Sequence, residues 1–89
     1  MEQETIGLFL RQSRIEAGKS QQDVAAHLGY GTAQFLSNIE RGISRPPLSS
    51  VKKLSRFVKA DPVKMINLIE DFETVRLRAK FEKYRKAVK

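Results

Sequence analysis

Apolar side chains return every three or four positions along nearly the whole chain, in short bursts cut by glycine and proline. Ile6, Phe9, Leu10 and Ala17 fall roughly on one helical face, predicting a helix over about residues 3 to 17. Gly18 supplies its stop, because glycine takes the left-handed conformation without steric cost. Ser20 stands at the head of a second burst with Asp23 three residues on, a short capping box. Val24, Ala25 and Leu28 form the buried side of that second helix, and Gly29 ends it. After Tyr30-Gly31, Thr32 is placed to cap a third helix over about residues 33 to 41, which stops at Gly42. Pro46 and Pro47 forbid an immediate restart. A fourth helix sets Val51, Leu54, Phe57 and Val58 against Lys52, Lys53, Arg56 and Lys59. Asp61-Pro62 is a strong start for a fifth, with an N-cap followed by proline in the first turn.

No Gly or Pro follows Pro62, so if helical to the end the last 28 residues would span about 42 Å. Met65, Ile66 and Ile69 can close the core. Beyond them Leu68, Phe72, Val75 and Ala79 form one stripe, and Leu77, Phe81, Tyr84 and Val88 a second on a shifted face. The expected organisation is a body over residues 1–69 and a basic amphipathic extension over residues 70–89.

Charge sharpens that division. The formal net charge is +7, but residues 1–75 carry ten basic and nine acidic groups, whereas residues 76–89 carry seven Lys and Arg against Glu82 alone. The basic tail suits a polyanion or simply a solvated helix end. The apolar stripe beside it asks for a partner. The first expectation is the same helix of a second subunit, through Phe72, Val75, Leu77, Phe81 and Tyr84. The alternatives are folding back or touching DNA phosphates, and binding acidic lipid or another protein. With 89 residues and no cysteine, the chain makes one domain with neither disulfides nor thiolate zinc sites. Its apolar runs are too short for a membrane span or a signal peptide, so a cytoplasmic location is expected. His27 is a lone histidine, which makes no metal site. The serines lack a paired base, and Gly29-x-Gly31 has neither the lysine nor the preceding strand of a phosphate loop. No enzyme, metal or cofactor is expected.

The chemistry concentrates in the third helix. At about 100° per residue, Phe35, Leu36 and Ile39 share one arc, while Gln34, Ser37, Asn38 and Arg41 lie opposite. Exposed helix faces are commonly rich in Glu and Lys; this one offers two amides, a hydroxyl and a guanidinium, and no lysine. Amides match the N6/N7 edge of adenine, and arginine matches guanine O6/N7 or a phosphate. Phe35 is placed for the core, or for contact with a thymine methyl.

The combined pattern Arg11-x-x-Arg14-x-x-x-Gly18-x-Ser20-Gln21-x-x-Val24-Ala25-x-x-Leu28-Gly29, then Leu36-x-x-Ile39-Glu40-Arg41-Gly42 and a proline, resembles the lambda-repressor-like (Cro/XRE-type) helix-turn-helix family over about residues 5 to 69. The resemblance implies an all-α, five-helix domain, here with an extended C-terminal helix, whose third helix enters the major groove of double-stranded DNA. It implies a transcriptional regulator, expected as a repressor, usually a homodimer on a palindromic operator. Gln21 would approach a phosphate or a base, and Gln34, Ser37 and Asn38 match base-facing positions. Thr32 and Ala33 join this set at the helix start, and Arg41 and Arg45 match positions near phosphates. Arg14 and Glu40 match a buried ion pair tying helix one to helix three. The stretch between Gly29 and Glu40 is one residue longer than the commonest spacing, and Tyr30-Gly31 is where the extra residue fits. The competing reading is an antitoxin or adaptor that works through protein contacts of residues 70–89.

Overall fold

The computed structural model describes residues 4–89. It is all-α: α1 (Ile6–Glu16), α2 (Gln21–His27), α3 (Gln34–Glu40), α4 (Val51–Phe57) and α5 (Pro62–Ala87), with a single 3-10 turn, Leu48–Ser50, leading into α4. Thr5 caps α1 by accepting the Leu8 N–H at 3.2 Å. The expected start at Gln3 lies outside the described residues. Gly18, with φ of 71°, turns the chain between α1 and α2. The α2 capping box closes reciprocally, with Ser20 Oγ accepting the Asp23 N–H and Asp23 Oδ2 accepting the Ser20 N–H, both at 2.9 Å. Those bonds, the Ser20 backbone first and its hydroxyl second, hold the Asp23 carboxyl below its ordinary pKa, with Lys19 assisting.

One apolar core gathers Ile6 and Leu10 from α1, Val24 from α2, Leu36 and Ile39 from α3, Val51 and Leu54 from α4 with Val58 after it, and Met65, Leu68 and Ile69 from α5. Ile66 does not close this core: it is 44% exposed, and Leu68 is buried in its place. Met65, Leu68, Ile69 and Phe72 follow the three-four rhythm of one helix face, and Ile66 lies about 100° off it. Gly7 is buried where α1 crosses the end of α3; a Cβ there would run into the Ile39 carbonyl oxygen and lie 3.2 Å from that of Glu40. Only a residue without a side chain permits that approach.

Asp61 caps α5 by accepting the Val63 N–H at 2.9 Å, and Pro62 occupies the first turn. The helix then continues for 26 residues without a break, about 39 Å at 1.5 Å per residue. Phe72 still packs against the core; every residue from 73 onward is exposed. Residues 69 and 70, where the sequence suggested a change from body to extension, lie inside one uninterrupted helix. Among the described residues no helix is long and apolar enough to cross a membrane.

Candidate nucleic-acid interface

Helix α3 is held from behind and left open in front. Leu36 and Ile39 are fully buried, and Phe35 packs at the core's edge with its ring stacked on Tyr30 at 4.0 Å. The extra residue at Tyr30-Gly31 is thereby accommodated: Gly29 takes φ of 88°, the Tyr30 N–H closes on the Ala25 carbonyl at 2.8 Å, and the Tyr30 ring lies flat on Phe35. The stack fixes Phe35 toward the body.

The first turn of α3 differs from the expected one. The helix begins at Gln34, with Ala33 as the residue before it; Ala33's carbonyl accepts the Ser37 N–H at 2.9 Å. Thr32 is one position too early for a full cap, and its hydroxyl makes only a long 3.4 Å contact with the Gln34 N–H. The longer turn causes this displacement, since it delivers Thr32 before the helical register is reached.

Behind α3 sits a charged network. Arg14 Nε donates to Glu40 Oε2 at 2.8 Å and a second guanidinium nitrogen donates to Oε1 at 3.1 Å. Its third nitrogen reaches the Lys19 carbonyl at 2.9 Å. Gln21 Nε2 adds a bond to Glu40 Oε1 at 3.1 Å. The Glu40 side chain is only 4% exposed and that of Arg14 13%. Three donors around one carboxylate tie α1, the start of α2 and the end of α3 into a single frame, and they satisfy charges that burial would otherwise penalise.

In front, Gln34, Ser37, Asn38 and Arg41 line the outward face. Asn38 Oδ1 accepts from Gln34 Nε2 at 2.8 Å and from an Arg41 guanidinium nitrogen at 3.0 Å. These side chains bond to one another rather than to the body, so they are ordered yet free to exchange those bonds for base edges. Arg45, in the loop after α3, behaves differently. Its Nε is 2.6 Å from Glu73 Oε1 on α5, and another nitrogen reaches the Pro46 carbonyl at 3.0 Å. The structure therefore joins the post-α3 loop to the long helix, a link the sequence pattern did not indicate.

The basic side of the fourth helix forms a second surface. Lys52, Lys53 and Arg56 from α4 surround a shallow cleft of about 400 Å³ with His27 and Ser49. His27 stacks on Phe57 at 3.9 Å, and Lys19 lies 4.7 Å from the same ring. The sequence placed these basic residues on one side of the helix; their meeting with His27 is a tertiary relation it did not indicate.

The tail residues separate into two groups. Phe72 is half-buried on the core, and exposed Val75 joins it in a groove with Ile43 and Leu68. Leu77, Phe81 and Tyr84 are exposed on the opposite side of α5, with Val88 beyond the helix end. In comparison with known proteins, residues 5–68 match the model of a family described as a helix-turn-helix domain. No curated protein matches the chain.

Proposed function

This chain belongs to the helix-turn-helix domain family, of the Cro/XRE-like type, and from that premise we propose that it is a sequence-specific DNA-binding regulator that represses by occupying an operator as a homodimer. The observation that carries the reading is the division of α3 into a face locked by Leu36, Ile39 and Glu40 and an outward face of Gln34, Ser37, Asn38 and Arg41. The inner face fixes the helix in space; the outer face supplies the donors and acceptors that discriminate base pairs. Thr32 and Ala33 at the start of α3 are candidates for backbone contacts, as are Gln21 and Arg45, which would exchange their bonds to Glu40 and Glu73 for phosphate oxygens.

Repeated selection from a random duplex pool by the purified protein tests this. The expected result is enrichment of one palindromic sequence, lost with Gln34→Ala and Asn38→Ala. A pool that stays random, with binding abolished by moderate salt, would sink the proposal and leave only sequence-blind attraction to phosphates. The exposure of Leu77, Phe81, Tyr84 and Val88 favours a second reading, an antitoxin or adaptor docking a protein through the tail. That second reading predicts the random outcome.

A further inference from the structure

The outer face of α5 has the rhythm of a two-helix seam. Val63, Asn67, Glu70, Thr74, Leu77, Phe81, Tyr84 and Val88 alternate four-three along the helix and just past its end. All eight are exposed, and Val63, Leu77, Tyr84 and Val88 are more than half so. They lie opposite Met65, Leu68 and Ile69, which hold the helix to the body, so a second helix laid along them meets no part of the body's core. Such a stripe is buried by a second copy in either direction. Charge decides which direction is compatible.

In a parallel pair Glu70 would face Glu70 within the seam, and the tails, each with seven Lys and Arg against Glu82, would lie side by side. In an antiparallel pair the basic stretch of one copy lies along Glu70, Asp71 and Glu73 of the other. The flanks agree around the middle of the pair. Glu73 and Lys80 border the seam on one side, and Lys64, Asp71, Arg78 and Arg85 on the other. Antiparallel helices bring like flanks together, so Glu73 meets Lys80 and Asp71 meets Arg78, while Lys64 and Arg85, which also meet, each keep a carboxylate of their own chain, Glu4 and Glu82.

Building on the reading of the tail as the dimer contact, we infer that two copies of this chain associate through antiparallel α5 helices. Val63 of one faces Val88 of the other, Leu77 faces Thr74, Glu73 pairs with Lys80, and Asp71 pairs with Arg78. Glu73 then stands between Arg45 of its own chain and Lys80 of the second copy, linking the loop after α3 to the interface. The two bodies sit at opposite ends of the helix pair.

The absence of native cysteine makes the test direct. Val63→Cys and Val88→Cys alter exposed side chains, so both variants should fold. Oxidised together, with one chain lengthened by a tag, they should form the mixed disulfide. Val88→Cys oxidised alone should give at least ~10-fold less crosslink, because the two copies of residue 88 are then about 37 Å apart, far beyond disulfide reach. Sedimentation of the unmodified protein runs alongside. Efficient self-crosslinking of Val88→Cys would mean parallel helices and overturn the inference while leaving the dimer intact. A dimer by sedimentation with neither crosslink would place the contact on another surface and also overturn it. A monomer at every concentration, on and off DNA, would overturn both the inference and the dimer it rests on.

Discussion

Replacing Glu40 by alanine removes the acceptor at the centre of the α1–α2–α3 frame. Three donated bonds disappear, two from Arg14 and one from Gln21. Arg14 stays in place with a side chain 13% exposed, holding its bond to the Lys19 carbonyl but no counter-charge. Breaking a buried ion pair from one side costs about 3–5 kcal/mol. The residual exposure of Arg14 and its remaining carbonyl partner place this site at the lower end, about 3 kcal/mol. For a domain of this size that corresponds to a fall in Tm of about 12–24 °C. Urea titrations followed by far-ultraviolet circular dichroism, with wild type and variant at one ionic strength, would measure it. A second variant, Arg14→Met with Glu40→Leu, removes both charges and should recover part of the loss, since well-packed apolar replacements of buried pairs are commonly near neutral. An unchanged midpoint for Glu40→Ala would refute the reasoning, because the carboxylate could not then be neutralising a buried guanidinium. Recovery absent from the double variant would point to lost packing instead.

Four further outcomes are expected. Gly7→Ala should destabilise by about 1–3 kcal/mol or more, measured by thermal melting, because its new methyl group meets the Ile39 carbonyl rather than a movable side chain. Asn38→Ala, which removes the shared acceptor of Gln34 and Arg41, should weaken operator binding by about 1–3 kcal/mol and blur preference at one or two base pairs in a selection experiment. Arg45→Ala should reduce the slope of log affinity against log salt by about one unit if the loop after α3 grips a phosphate. Because Asp23 titrates below its ordinary value, its contribution to stability is complete above the unfolded pKa and lost as pH falls through the folded one. Ser20→Ala should raise that carboxyl's pKa, read by nuclear magnetic resonance titration.

Where the chain advertises its structure, it does so through local rules. The caps at Ser20 and Asp61, the stop at Gly18 and the two faces of α3 each follow from a few neighbouring residues, and local side-chain chemistry decides them. The Arg14–Glu40 pair came from the family pattern, since nothing in the spacing of two residues so far apart in the chain indicates contact. Ile66 was misplaced because four apolar residues in five, Met65 to Ile69, offer more than one inward-facing set, and only the packing against α1 and α4 selects Leu68 over it. The start of α3 moved because the length of the preceding turn, not the identity of Thr32, sets the register. The bond between Arg45 and Glu73 depends on how the loop after α3 meets α5, a tertiary relation with no periodic signature.

The mutual hydrogen bonding of Gln34, Asn38 and Arg41 leaves these three side chains without any role in holding the body together. What fixes α3 comes from its other side: Leu36, Ile39, Phe35 stacked on Tyr30, the Glu40 carboxylate, and Gly7 pressed against its last turn. Substitutions on the reading face therefore meet little opposition from folding. With that face reading DNA as proposed, a lineage carrying this domain would exchange one operator for another by drift at three or four positions, with no compensating change inside. Divergence among descendants of such a chain should accumulate first where the helix looks outward, while the residues that anchor it stay the same.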